Sequence, residues 1–471
     1  IAHHPLRKSV IIEEPLLISL QSADELFYPF FMETEPQTKE QLYELKAEYA
    51  PPFEIALPNE ERLTLPSEKP FSFQTDFPTL DPEEETDLTI LQGTSLITPS
   101  SPVAALEIPQ HTEMLYEDET YASFGALASS DSFDIEVEYT PKRSRPGYIF
   151  KVTFSPNSNA EFKRIGQNYF FLIDRSNSIP RARYLLNKKA ISKALDYLKE
   201  GDSFNILIFD ARAIRLAEQP LPWNEENISL AREFLDKLPH GGHFAATELY
   251  ISLGKIIPED VPDSQLNTAI LLSDGDTYLS TERQRLTIGG WTYRNQGKVS
   301  LYSVASGTGN NLPLLELLSS FNKGQLIYTS DHEKLNDRLI QLIQSIQNPI
   351  GKGMVATAVS SDKQMSILLR PKTSRLPELY QNRPFVIYGS TNRLSDFVLF
   401  LQGKYYDKRF DIKKKICFER AKIAPPSLER QWTSLLSQEY YERFFEDGNR
   451  AHLEAVKKLL APFNLPVPLL E

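Results

Sequence analysis

Apolar residues in this chain fall into two patterns, and the change between them marks where one domain starts and stops. Between about residues 168 and 348, short apolar-rich runs, uninterrupted in 169–173, alternate with stretches of helical spacing. The runs are 169–173, 204–209, 268–272, 299–305 and 325–328. They are too short for helices and of the kind found in strands covered on both faces. Between them, 181–199 places Leu185, Leu186, Ile191, Ala194, Leu195 and Leu198 on one side of a helix. Residues 331–347 do the same with Leu335, Leu339, Leu342, Ile343 and Ile346. Such alternation predicts an α/β domain, a doubly wound and mostly parallel sheet with helices on both faces.

Outside these limits the period changes to two. Phe133, Ile135 and Val137 alternate with Asp134, Glu136 and Glu138, the signature of a half-buried strand. Arg145-Pro146-Gly147 then turns the chain into a second strand over 148–154, giving a hairpin. Strands recur at 355–359, 365–369, 385–388, 396–401 and 414–418, at a spacing that suits a small β-sandwich. The segments 101–167 and 349–425 are therefore expected to be two halves of one β platform into which the α/β domain is inserted. Residues 426–471 read as helical, with Trp432, Leu435, Leu436, Tyr440 and Phe444 as a stripe that packs on the platform or meets a partner. Residues 1–100 are rich in Pro and Glu and include the acidic run 81–87. They read as a partly disordered linker with edge strands, a composition suited to a tether.

The run 169–173 leads directly into Asp174-Arg175-Ser176-Asn177-Ser178. Ligands of open parallel sheets sit just beyond the carboxyl ends of the strands, so these oxygens stand where function is housed. Hard oxygen donors of this kind suit Mg²⁺, although an acid and two serines after a strand, taken alone, are more often a cap for the following helix. Two further features extend the pattern: a glycine turn at Gly241-Gly242 that leads to Thr247, and Ser273-Asp274 at the end of the 268–272 strand. Together they resemble a von Willebrand factor A (VWA) domain with its metal-ion-dependent adhesion site, written D-x-S-x-S, then Thr, then Asp. The matching positions are Asp174, Ser176, Ser178, Thr247 and Asp274. Asp174-Arg175-Ser176, the run from Asp202 to Phe209, and Leu272-Ser273-Asp274-Gly275-Asp276 resemble the form in inter-alpha-trypsin inhibitor heavy chains and their bacterial relatives. The segment from Leu376 to Gly389 resembles the β segment that follows the A domain there.

The resemblance implies divalent-metal-dependent protein–protein binding, for adhesion or complex assembly, with Mg²⁺ or Mn²⁺ as the ion and an acidic residue of a protein ligand completing its coordination. It further implies that Ser176 and Ser178 bind the metal directly, Thr247 directly or through water, and Asp174 and Asp274 largely through water. Two departures stand out: Asn177 replaces the family's usual Gly, and residues 243–246 lengthen the Gly-Gly-Thr junction. If loop alternation turns Arg175 outward, it either makes a bidentate contact to a partner carboxylate or pairs with an acid of this chain. Two other roles are consistent with the sequence: a scaffold or assembly subunit, and an accessory subunit coupled to an ATPase.

Composition narrows the choice. A net charge of −12, from 51 basic and 63 acidic residues, disfavours a nucleic-acid partner. The one basic cluster, Lys413 to Lys415, reads as the solvated face of a strand. A single cysteine, Cys417, rules out an internal disulfide framework and a Cys-based zinc site. No apolar run is long enough to span a membrane as a helix. The chain starts at Ile1, so a natural N-terminus carrying any signal or anchor is expected upstream, with a cell-envelope or periplasm-facing location favoured and the cytoplasm open. No nucleophile elbow accompanies the serines, and Gly307-Thr308-Gly309 and Gly351-Lys352-Gly353 fit turns and not phosphate loops. The chain is expected not to be an enzyme.

Overall fold

The computed structural model describes residues 121–122, 132–143, 146–157, 160, 162–241, 249–259, 261–262, 264–275, 279–406, 408–465 and 467–469. The linker expected over 1–100 lies outside them.

Among the described residues the first elements are three strands, β1 (Tyr121–Ala122), β2 (Phe133–Pro141) and β3 (Tyr148–Pro156). β2 and β3 form the antiparallel hairpin expected from their alternation, with Val137 opposite Val152. The α/β domain follows, with strands β4 (Gly166–Asp174), β5 (Ser203–Phe209), β6 (Ala213–Arg215), β7 (Leu221–Pro222), β8 (Gln265–Leu272), β9 (Ser300–Ser306) and β10 (Leu326–Thr329). Its helices are α1 (Arg181–Ala194), α2 (Glu225–Lys237), α3 (Leu249–Gly254), α4 (Thr281–Asn295), α5 (Leu312–Ser320) and α6 (Leu335–Ile346). The sheet order is β10-β9-β8-β4-β5-β6, with β7 also on β5. β10, β9, β8, β4 and β5 run parallel, while β6 and β7 are antiparallel edges.

β4 is the hinge of this topology. From it the chain moves to β5 on one side and later to β8 on the other, so the switch point lies between the carboxyl ends of β4 and β8. Period two sorts its side chains between the helical layers. Tyr169, Phe171 and Ile173 join the core under α1, α2 and α6, whereas Leu172 joins the core under α4 and α5. All four are fully buried, each contributing about 1.5–3 kcal/mol of apolar transfer. In α6 every expected inward residue is buried. Of the stripe expected in α1, Ile191, Ala194, Leu195 and Leu198 are buried, whereas Leu185 is 50% exposed and Tyr184, Asn187 and Ala190 face inward beside them. The helix also ends at Ala194 and tightens into a 3₁₀ turn over Leu195–Tyr197, short of the expected 199.

After the domain come β11 (Pro349–Val359), β12 (Ile367–Arg370), β13 (Leu379–Tyr380), β14 (Phe385–Thr391), β15 (Phe397–Tyr405), β16 (Lys408–Ile416) and β17 (Lys422–Ile423). One five-stranded sheet has the order β1-β16-β15-β11-β13 and the other β12-β14-β3-β2-β17. Pairing of β3 with β14 joins chain from before and after the α/β domain in one sheet, as the insertion requires. Entry and exit are adjacent: the Ile165 amide donates to the Pro349 carbonyl at 2.8 Å. The two sheets share one apolar core, with Phe150 of β3 against Phe397 of β15 at 5.2 Å between ring centroids. Gly389 is required there, because a Cβ would fall 2.0 Å from the Phe150 ring. Gly351-Lys352-Gly353 corrects an expectation, being part of β11 and not a turn, with a bulge between Lys352 and Val355. Lys413 to Lys415 lie on β16 and are half-buried, with Lys413 over the Phe400 ring.

Two helices close the chain, α7 (Ser427–Asp447) and α8 (Ala451–Leu460). α7 is buried around most of its circumference, so the expected single stripe is too narrow. Leu428, Trp432 and Leu435 pack on Ile149, Val386 and Tyr388 of the platform, while Tyr441, Phe444 and Phe445 enter the core under α4 and α5. α7 thereby ties the platform to the α/β domain. Arg370 with Glu439 and Arg375 with Glu442 add ion pairs along the junction. Among the described residues no helix is long and apolar enough to cross a membrane.

Candidate metal centre

The strand β4 carries Asp174 to the switch point and buries it completely. Beyond it the chain turns at once, the Ile179 amide donating to the Ser176 carbonyl at 3.1 Å. That turn brings the Ser176 and Ser178 hydroxyls within 3.0 Å of each other. Asp174 organises the loop: its Oδ1 accepts from the Ser176 amide at 2.8 Å, and its Oδ2 accepts from the Ser273 hydroxyl at 2.7 Å. The second bond crosses from β4 to the end of β8 and draws the two carboxylate-bearing strand ends together. Gly275, at a φ of +76°, then turns the chain away beneath Asn311, whose carbonyl a Cβ would meet at 3.1 Å.

Asp274 is also buried, at 1% exposure. Burial first, and then the negative charge of Asp274, push the Asp174 carboxyl up to about 6, against the pull of its hydrogen bonds to Ser176 and Ser273. Two buried acids this close raise each other's cost of ionisation, which a bound cation would offset. Asn177 is exposed and is not among the residues with positive φ, so the loop makes no demand for glycine there. Thr247 and the 243–246 insertion lie outside the described residues. The loop that carries them starts beside the site, where the Gly241 amide donates to the Arg175 carbonyl at 3.2 Å.

Of the two readings of Arg175, the structure displays the intrachain pair. Its Nε lies 2.9 Å from Asp210 Oδ2, with the two side chains only 13% and 12% exposed. The contact is ionic and not a well-aligned hydrogen bond. The Arg175 amide meanwhile extends the sheet by donating to the Phe209 carbonyl at 2.9 Å.

Two residues were not singled out from sequence. Ser273 links Asp174 to the Gly275 amide, which donates to its hydroxyl at 3.0 Å. Arg183, on the first turn of α1, reaches the Ser273 carbonyl at 3.5 Å and the Asn310 amide oxygen. Burial lowers its pKa, while Asp274 and then Asp174 hold it up. No cluster of three or more His, Cys, Asp or Glu occurs among the described residues. The donor set is instead two hydroxyls 3.0 Å apart with two buried, mutually repelling carboxylates behind them. Its chemistry fits a hard divalent cation that keeps several waters.

No family model matches the chain. Among characterised proteins it is similar to inter-alpha-trypsin inhibitor heavy chain H1 of Mesocricetus auratus, 24% identical over 367 residues that cover 71% of this chain and 38% of the relative. It is similar also to heavy chain H4 of Homo sapiens, 23% identical over 295 residues, covering 59% of this chain and 31% of the relative. The chain thus spans well under half the length of the curated relatives it matches. Among solved structures, a von Willebrand factor type A protein from Catenulispora acidiphila aligns over 71% of this chain and 88% of its own, with 14% identity and a TM-score of 0.47. The resemblance read from the residues is to the same heavy chains that the comparison finds.

Proposed function

We propose that this chain, a relative of the inter-alpha-trypsin inhibitor heavy chains with a VWA fold, is a divalent-metal-dependent protein-binding module and not an enzyme. The observation that carries the reading is the hydroxyl pair of Ser176 and Ser178 at the sheet's switch point, backed by the buried Asp174 and Asp274. Ser176 and Ser178 would hold Mg²⁺ or Mn²⁺ directly. Both Asp174 oxygens already accept hydrogen bonds, which suits action on the cation from behind the hydroxyls. When bound, the cation supplies a Lewis-acidic coordination position for an oxygen of the partner. Hydroxyls neutralise a dication poorly, so an acidic side chain is the preferred final ligand. Arg175, held by Asp210, stiffens the loop in this reading.

The test is capture of partners on immobilised protein with Mg²⁺ present, followed by chelation. Release by chelator, and loss of capture in the Ser176→Ala, Ser178→Ala double variant, are expected. Binding that survives both would replace metal-dependent adhesion with a scaffold role for the platform and helices.

A further inference from the structure

At the amino end of the parallel sheet, the face of β4 turned toward α3, α4 and α5 changes character. Leu172, Leu207, Ala269 and Leu271 of this face are buried beneath those helices. Next on it toward the strand start, Phe170 of the central strand is only half-buried, although strands of a doubly wound sheet are normally covered on both sides. The third residue of β4, β5 and β8 is in each case asparagine, a poor strand former: Asn168, Asn205 and Asn267. Asn168 stands opposite Asn267, and Asn205 opposite Phe170. α3 has only six residues, and beside this end of the sheet lies a cavity of about 530 Å³, lined also by residues 255–259 and Pro262 that follow the helix. That volume is within the range of small-molecule sites, about 300–1,000 Å³.

We propose that this cavity binds a neutral saccharide of one or two rings. Its carboxamides satisfy one another only in part. The Asn168 amide donates to the Asn267 side-chain oxygen at 2.9 Å and to Gln265 Oε1 at 3.3 Å, while Asn205 is spent on the backbone of Ala217. Among the described residues no hydrogen bond uses the Asn168 oxygen, the Gln265 amide nitrogen or the Gln219 side chain, and all three residues line the cavity. An acceptor and a donor on neighbouring side chains match a hydroxyl, which gives one hydrogen bond and takes another. The charges around the cavity cancel, Arg215 and Lys255 against Glu218 and Glu259, and all four are exposed. A phosphate or carboxylate would need an uncancelled cation, and a wholly apolar ligand would leave the amides unpaired. Phe170, Leu207 and Ile257 supply apolar surface for the C–H face of a sugar ring. The cavity lies at the opposite end of β4 from Asp174, so saccharide binding requires no metal.

The experiment is saturation-transfer difference NMR on the full chain with D-glucose, D-mannose, D-galactose, maltose and cellobiose, followed by titration of the strongest responder. A dissociation constant on the order of 1 mM is expected, the strength of a few hydrogen bonds that replace those of water. Asn168→Leu should weaken binding roughly fivefold, and Gln219→Ala, at an exposed position, about twofold. Added EDTA should change nothing. D-galacturonate should bind more weakly than D-galactose, and D-glucosamine more weakly than D-glucose. If Asn168→Leu melts too low to titrate, Asn168→Val, a better strand former, carries the same comparison. Three results overturn the inference: no transfer to any of the five neutral saccharides, binding left unchanged by both substitutions, or charged analogues that bind as well as the neutral sugars. None of them bears on the metal site.

Discussion

Replacing Asp174 by Asn tests whether the buried acid is held against its own preference in the absence of metal. Its carboxyl moves from 3.8 to about 6 on folding. A shift of about two units corresponds to roughly 3 kcal/mol between protonation states. Because the folded pKa lies above the unfolded one, this contribution is fully present below about 3.8 and is lost as pH rises through about 6. In chelator at pH 7.5 the ionised Asp174 therefore weakens the fold. Asn keeps an acceptor for the Ser176 amide but leaves the Ser273 hydroxyl proton to find another acceptor, at a cost of about 1 kcal/mol. The expected net gain is about 1–2 kcal/mol, or a melting temperature higher by roughly 2–6 °C. Differential scanning calorimetry in EDTA should show that gain at pH 7.5 and its disappearance toward pH 4. Added Mn²⁺ should then raise the wild-type transition and leave the variant unmoved. A variant that melts at or below wild type in EDTA, with the same difference at both pH values, would refute the reasoning.

Other substitutions probe the frame that holds the site. Gly389→Ala should destabilise by about 1–3 kcal/mol in urea titration, since its Cβ would enter the Phe150 ring; an unchanged midpoint would mean the Phe150 ring does not lie over Gly389 across the β3–β14 pair. Trp432→Ala should cost about 3–5 kcal/mol by the same assay, as the side chain is 4% exposed against the platform. Arg375→Ala should cost about 2–4 kcal/mol, because it removes a buried partner 3.0 Å from Glu442 that also lies 3.8 Å from the centre of the Phe321 ring. A loss under 0.5 kcal/mol there would show that α7 is not tied to the platform segment through this pair.

What could be read in advance was whatever a strand or a motif states locally. Tyr169 to Ile173 declares a doubly covered strand, and the acid and hydroxyls that follow it land at the switch point. The period-two segments on either side of the α/β domain read as two halves of one platform, and the structure joins them through β3 and β14. Arg183 was hidden because a helix pattern treats a first-turn arginine as a surface charge. Its contacts are with Ser273 and Asn310, which lie 90 and 127 positions away. The one local sign was a cation in the first turn of a helix without an acid. α7 was misjudged for a related reason: it packs on two bodies at once, so its burial follows no single stripe. Arg175 could not be assigned by alternation, because the chain leaves strand geometry at Asp174 and the side chain finds Asp210.

Mn²⁺ binding to wild type and to the Ser176→Ala, Ser178→Ala double variant, followed by electron paramagnetic resonance of the free ion, tests the central claim most directly. The account predicts one bound equivalent in wild type and none in the variant, with the variant still folded in EDTA. Equal uptake by the two proteins, or no uptake by the wild type, would contradict it.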